Sequence, residues 1–512
     1  MGWGWCLADE IPTKFVDLEL EFADGIEQVI SCLIDRARDD VAKAFPDNAR
    51  ASTAGFIYLS RLASTCEIQR ATLLIRLTDN TFERYPIQGF PEAFALDSTT
   101  PQSTFNRIRR VWLMAKSGRF PYILQRLQAM FSRRRKALSH RAVTGSLPMG
   151  NSHLVIDHQL GGGANKYRDE KIAQILRLGE EVVLVTFELP RLLFRLEIYR
   201  PSGKQLATYE SIQVLGERLM QAQFSTIHVN DLVSFPDGAE ILQLITALHR
   251  RGRSELRVYL HDFLYVCPSY ALIDATGRYC GIPDADVCRQ CLKTNKSVFP
   301  SFAIVDEILP WRKEWKELLR ESTNIIAFSE STINIFRQAF PMDEWRPKIS
   351  IQPHQVDVSK YPKIKVHASS LLKIAVIGHI GFAKGAEIVH EMVTLIARKQ
   401  LAIQIVVIGT LERFIPSPAL IVTGSFENSK LPTLLQEHGI GVCLLPSICP
   451  ETFSYVAEEV MTMGLPLVCF ELGAPADRVK RYSFGEVAKT TSAQGALDAV
   501  ISLSRKVGAG NP

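Results

Sequence analysis

Two kinds of hydrophobic pattern divide the chain. Up to about residue 95 short runs alternate apolar and polar positions, as in VDLELEF at 16–22, with further apolar runs at 55–59 and 71–77. A period of two belongs to strands with one buried face, and it predicts a small all-β sandwich over 1–95. From residue 153 the strands become unbroken apolar runs, at 154–156, 182–187, 226–229, 257–259, 325–329 and 349–351, separated by segments of helical spacing. The pattern resumes at 373–377, 405–409, 422–426, 441–445 and 465–470. Continuous apolar strands alternating with helices predict parallel sheets covered on both faces. A lysine-rich stretch at 361–370 with Pro362 divides this region into domains at 151–365 and 366–512.

Between the two patterns, 96–150 reads as a basic helical linker. From Thr104 to Arg141 it carries Arg107, Arg109, Arg110, Lys116, Arg119 and further basic residues with no acidic one, while Trp112, Phe120, Leu124 and Phe131 recur at near-helical spacing. A solvated linker packed on its neighbour and a peripheral contact with an anionic membrane both suit such a face. Nucleic acid is disfavoured, because no recognition fold accompanies the charge. The composition, 46% hydrophobic and 22% charged with a net charge of +5, is that of an ordinary globular protein. No apolar run reaches 18 residues and the opening Met-Gly-Trp-Gly-Trp lacks the regions of a signal peptide, so a cytoplasmic location is expected.

Candidate chemistry gathers at strand ends. Gly161, Gly162 and Gly163 follow the strand at 154–156, with a helix expected from Asn165; such a turn exposes amides to a ligand, or is merely tight. His261 and Asp262 follow the strand at 257–259; a histidine at a ligand site and a structural histidine capped by Asp262 compete there. Asn230 and Asp231 occupy the same position one strand earlier. Gly378 opens a glycine-rich turn that delivers Lys384 and Gly385 to a helix start, suited to a diphosphate. Glu451 precedes a helix expected to be capped by Thr452 or Ser454 and closed by Gly464, and Glu459 lies inside it. Both carboxylates are expected to address one ligand at that helix N-terminus, with Glu451 in a solvent-facing loop. Cys267, Cys280, Cys288 and Cys291, spaced C-x12-C-x7-C-x2-C, fit either a structural zinc or four free thiols.

The motif P-S-x-x-P-E-T-F at 446–453, followed by E-x4-G-L-P-L-V at 459–468, resembles the donor-site signature of family 4 retaining glycosyltransferases, and the likeness extends over about 151–505. It implies the GT-B fold: an α/β chain with two Rossmann-like domains facing a cleft, here preceded by the sandwich and the linker. The sandwich itself resembles a module attached to bacterial polysaccharide glycosyltransferases, and its start almost at Met1 leaves open a longer parent protein. The resemblance also implies a nucleoside-diphosphate sugar as donor and a glycan or lipid-linked glycan as acceptor. Glu451 would orient the donor sugar, Glu459 would hold the ribose and His261 would lie beside sugar and acceptor. Gly162, Gly163, Gly378, Lys384 and Gly385 would bind the donor, and no divalent metal would be required for catalysis. Family members usually carry Arg where His379 stands, which weakens His379 as a phosphate ligand. A sugar-nucleotide epimerase on the same scaffold and a catalytically silent glycan-positioning subunit are the competing functions.

Overall fold

A computed structural model describes parts of 2–87, Leu147 and, apart from short stretches, 152–509. The basic stretch 104–141 lies outside the described residues. The N-terminal strands form two antiparallel sheets. One orders β1 (Gly2–Trp5), β5 (Gly55–Tyr58) and β4 (Leu33–Arg36); the other orders β3 (Glu27–Ser31), β2 (Thr13–Phe22), β6 (Ile68–Leu77) and β7 (Phe82–Pro86). Alternation decides what β2 buries: Leu18, Leu20 and Phe22 meet Ile30 and Ala71 in one cluster.

The first α/β domain is an eight-stranded mixed sheet. Its parallel part orders β9 (Glu181–Glu188), β8 (Ser152–Ile156), β12 (Thr226–Val229), β13 (Glu255–Tyr259), β14 (Asn324–Ala327) and β15 (Ile349–Ile351). Beyond β9 the chain departs from the expected alternation. Two antiparallel strands, β10 (Leu193–Arg200) and β11 (Gly203–Tyr209), extend the edge. They form because Phe194, Leu196 and Ile198 join the core, while the opposite face ties Glu197 to Arg195, Lys204 and Tyr199. Period-two patterning on one edge is compatible with a helix cover on the rest of the sheet.

The second domain is a six-stranded, all-parallel sheet ordered β18 (Leu420–Val422), β17 (Ile403–Leu411), β16 (Leu372–Ile380), β19 (Val442–Leu445), β20 (Leu467–Phe470) and β21 (Gly485–Ala488). Renumbered from its first strand, the order is 3-2-1-4-5-6, that of the dinucleotide-binding folds. Both faces are buried, which explains the unbroken apolar runs. Ile374, Val376, Ile405, Val407, Val442 and Leu444 face helices Ala386–Arg398 and Ala493–Ala509. Their neighbours Ala375, Ile377, Val406, Ile408, Cys443 and Leu445 face Leu431–Glu437 and Tyr455–Met463. The expected strand at 422–426 is placed earlier, at Leu420–Val422, and Gly424 turns with φ +84°.

Where β16 and β17 end, the backbones nearly touch. Gly409 has φ +133°, and a Cβ built on it would lie 2.0 Å from the Gly378 carbonyl oxygen. Gly409→Ala therefore combines an unfavourable backbone region with a backbone clash, and unfolding in urea should show a loss of about 2–4 kcal/mol. An unchanged midpoint would mean that the two strand ends are not held together.

Candidate active site

The order of the second sheet reverses between β16 and β19, and the crevice outside such a reversal is where open α/β sheets bind ligands. The two loops that border it are the glycine turn after β16 and the segment 446–454 after β19. A 3-10 turn, Phe382–Lys384, brings Lys384 round, and Gly385 follows with φ +83°. A side chain on Gly385 would meet the Pro446 carbonyl oxygen at 2.0 Å, so the two loops can pack only because this residue is glycine. That packing sets Lys384 Nζ 2.9 Å from Glu451 Oε1.

Glu451 is not in the solvent-facing position expected of it. Its side chain is only 13% exposed, because the Ser447 hydroxyl donates to the carboxylate and the Ala474 amide holds the Glu451 carbonyl at 2.8 Å. Burial works against the carboxylate, but Lys384 and the hydroxyls of Ser447 and Ser454 outweigh it and hold its pKa below the usual range. The lysine is correspondingly raised, its burial being offset by Glu451. Ser454 caps the helix Tyr455–Met463, and Gly464 ends it in the left-handed region, both as expected. Glu459, in the second turn, is buried and accepts from the Tyr361 hydroxyl at 2.8 Å and the Asn428 amide at 3.0 Å. His379 projects outward and bonds Thr410 through Nδ1.

The first sheet reverses between β8 and β12, so its crevice is bordered by the triple-glycine turn and by Asn230. The helix after the turn begins earlier than expected, at Gly162, and runs Gly162–Arg177. Asn165 explains the early start. Its Oδ1 accepts from the Gly161 amide at 2.7 Å, while its Nδ2 donates to Asp157 and to the His158 carbonyl. His158 in turn accepts the Leu160 amide at Nδ1 and faces Asp231 with Nε2. The turn is thus pinned from below by buried polar groups, and Gly162 and Gly163 stand exposed at a helix N-terminus.

His261 is not capped by Asp262. Its Nε2 lies 3.1 Å from the Oδ1 of Asn230, whose Nδ2 donates to the Ala164 carbonyl. That orientation makes Nε2 the protonated nitrogen and leaves Nδ1 as an acceptor. Burial holds the His261 pKa well below the usual value, and His354 and His158 add to the effect, so the ring is neutral. Asp262 accepts the Leu264 amide instead, and burial beside Asp231 raises its pKa.

Residues with no expected part in a domain contact join the two halves, among them Thr452, which leaves the helix cap to Ser454. Thr452 donates to the His261 carbonyl at 2.7 Å and accepts from Thr332 through its own carbonyl. Phe453 and Tyr455 enter an aromatic cluster with Tyr167, Phe328 and His354, and the Tyr455 hydroxyl lies 2.7 Å from His354 Nδ1. Lys166, one turn beyond the glycines, lies over the Tyr455 ring and 3.9 Å from Glu459. The geometry therefore brings Lys384 and Glu451 together on one wall, Gly162, Gly163 and His261 on the other, and Glu459 beneath Lys166. The four cysteines 267, 280, 288 and 291 lie in one segment of the first domain; among the described residues no group of three or more His, Cys, Asp or Glu side chains stands in a metal-holding arrangement.

Residues 372–506 match the family described as glycosyl transferases group 1. No curated protein matches the chain. Among solved structures, it is similar to a sucrose-phosphate synthase from Thermosynechococcus elongatus, with 13% identity over 70% of this chain and 92% of that one and a TM-score of 0.47. It is also similar to HepE of Anabaena in complex with UDP and glucose, at 13% identity over 70% and 90% with a TM-score of 0.44. The catalytic domain of starch synthase IV from Arabidopsis thaliana, bound to ADP and acarbose, is similar at 12% identity over 70% and 92%, with a TM-score of 0.44. The matched stretch coincides with the second α/β unit and contains Lys384, Gly385, Glu451 and Glu459.

The contact between this domain and the first depends on pH. Burial pushes His354 down to about 3, and the charges of Arg478 and Lys166 reinforce it. In the unfolded chain the same ring takes up a proton near pH ~6.5. Its contribution is therefore complete above that value and is lost as pH falls toward 3, by up to about 1.4 kcal/mol per pH unit for each buried neutral histidine. Urea midpoints measured from pH 7 to 5 should fall, and His354→Gln should fall less steeply. Parallel slopes would remove His354 from the account.

Proposed function

We propose that the chain is a retaining glycosyltransferase that moves a sugar from a nucleoside-diphosphate sugar to a hydroxyl of a growing glycan, in surface polysaccharide synthesis. The observation that carries this reading is the Lys384–Glu451 pair at the strand-order reversal of the glycosyl transferases group 1 domain, 2.9 Å apart and opposite a neutral histidine. Lys384 would leave Glu451 for the diphosphate and neutralise the charge that grows as the sugar departs, with Gly378 and Gly385 leaving room for it beside the backbone; a divalent metal is not required for that step. Glu451, released from the lysine, would accept hydrogen bonds from donor sugar hydroxyls. Glu459, kept in place by Tyr361 and Asn428, would hold the ribose.

His261 meets the sugar as an acceptor. With Nε2 committed to Asn230, only Nδ1 can receive a hydroxyl proton in a hydrogen bond, and a ring held neutral does not repel an oxocarbenium-like centre. The acceptor hydroxyl would attack from the face the leaving group vacates, and the departing phosphate would take its proton, so the anomeric configuration is retained. Gly162 and Gly163 would turn their amides toward the phosphate from the other wall.

Incubation with a panel of nucleoside-diphosphate sugars should raise the thermal midpoint for one nucleotide. With that donor and a glycan acceptor, Glu451→Gln should abolish transfer while preserving the fold. Lys384→Ala should weaken donor binding by about 1.5–3 kcal/mol. Near-normal turnover in both variants would sink the reading, and release of an altered sugar without acceptor would make the protein an epimerase.

A further inference from the structure

His261 is the one side chain of the first domain used in the chemistry proposed above, yet that domain also sends a cation to the opposite wall. Lys166 lies in the second turn of the helix Gly162–Arg177. Its neighbours in the chain are committed elsewhere: Asn165 is buried beneath the glycine turn, and Tyr167 packs edge-on against His354, with 4.8 Å between ring centroids. Residues three and four apart share a helix face, so Lys166 stands on the same side as Gly162 and Gly163. Gly163 lies against the Tyr455 ring, which a Cβ built on it would meet at 3.2 Å, and Lys166 Nζ lies 4.0 Å from the centre of the same ring.

Two observations separate this lysine from an ordinary solvated cation. Its one ion-pair partner among the described residues is Glu459 of the second domain, 3.9 Å away, and that side chain is only 3% exposed. Glu459 has little need of it, because the Tyr361 hydroxyl and the Asn428 amide already donate to the same oxygen, Oε1, at 2.8 and 3.0 Å. At 3.9 Å the ammonium is outside hydrogen-bond reach, and among the described residues it makes no hydrogen bond. A partly exposed ammonium thus keeps its N–H donors uncommitted while it faces a ring and a carboxylate of the other wall. Attraction to both favours a closed cleft, but an anion of higher charge in the gap would attract the lysine more strongly than either.

We propose that Lys166 is a donor-binding residue, which turns from Glu459 and Tyr455 to the diphosphate of a nucleoside-diphosphate sugar when the donor enters. The inference rests on the function proposed above and adds a cation of the first domain to Lys384 of the second. A diphosphate between the two lysines would be gripped from both walls, so donor binding and closure of the cleft become one event. The same movement frees Glu459. Relieved of the lysine, the carboxylate keeps Tyr361 and Asn428 on Oε1 and offers a ribose hydroxyl its other oxygen, which carries no hydrogen bond among the described residues.

The test measures binding to the full chain by calorimetry, without acceptor or turnover. Inorganic pyrophosphate serves as a probe independent of the base, alongside UDP, ADP, GDP and dTDP and the matching nucleosides. Lys166→Met keeps the length of the side chain and removes its charge. In that variant, affinity for pyrophosphate and for whichever nucleoside diphosphate binds should fall about tenfold or more, as expected for one charge-assisted contact. Affinity for the matching nucleoside and the thermal midpoint of the ligand-free protein should stay where they are, and Lys166→Arg should recover most of the loss. Pyrophosphate bound equally well by Lys166→Met overturns the inference. So does a parallel loss for pyrophosphate and nucleoside, which would make Lys166 a structural residue. Lys384→Ala, measured alongside, separates this claim from the proposed function. A loss there with none in Lys166→Met rejects Lys166 and leaves that function standing, whereas an unaltered chain that binds neither pyrophosphate nor any of the nucleoside diphosphates removes both.

Discussion

The loop from Pro446 to Ser454 is held from three sides, and the cleft exists because it is. Gly385 lets the lysine-bearing turn press against the Pro446 carbonyl. The Ala474 amide, from the first turn of the helix Gly473–Val479, holds the Glu451 carbonyl. Thr452 reaches across and bonds the carbonyl of His261. A surface loop of this length would ordinarily sample many conformations. Here two hydrogen bonds tie the loop to different elements, one of them in the opposite domain, so order in the loop and order at the domain contact are coupled. Phe453 and Tyr455, adjacent to the same threonine, add buried aromatic surface against His354 and leave little freedom for the domains to separate without exposing it.

The two walls differ in electrostatic character. The second domain offers an ion pair in which each member stabilises the charge of the other, Lys384 raised and Glu451 lowered. The first domain offers neutral groups: His261 and His354 are both kept uncharged by burial. A cationic ring beside Lys384 would add attraction for phosphate but would repel positive charge developing at a sugar carbon. In the proposed reaction, keeping the histidines neutral would separate the two tasks between domains. Falling pH should therefore act on the domain contact before it acts on the ion pair, since an imidazole takes up its proton in the unfolded chain near pH ~6.5 and a glutamate only near ~4.3.

Local patterning by itself was enough for most of the parallel strands of both α/β domains. Strands buried on two faces must be apolar throughout, and β16, β17, β19 and β20 stand where unbroken runs occur in the chain. Ser454 and Gly464 were legible as helix ends for an equally local reason, since a cap satisfies backbone groups within a few residues of itself. Lys384, Glu451 and His261 could be singled out because each follows a strand, and strand ends are where such sheets bind ligands. The hairpin at the sheet edge was not legible, because alternation over 193–200 becomes meaningful only beside a core that accepts one of its faces.

Tertiary structure decided which partners these residues keep. The sequence places Asp262 next to His261, but the fold turns the aspartate to a backbone amide and brings Asn230 from the preceding strand to the ring. It also decided that Glu451 is shielded, since Lys384 and the helix after residue 472 converge on the loop that holds Ser447 against it. Thr452, Phe453 and Tyr455 could not be recognised as the joint between domains, because their partners His261 and His354 lie about a hundred residues or more away in the chain. Periodicity and capping are read within one or two turns of backbone, so the sequence by itself determines elements and their ends. Protonation state, exposure and domain contact depend on atoms brought together from distant segments, and only the folded chain sets them.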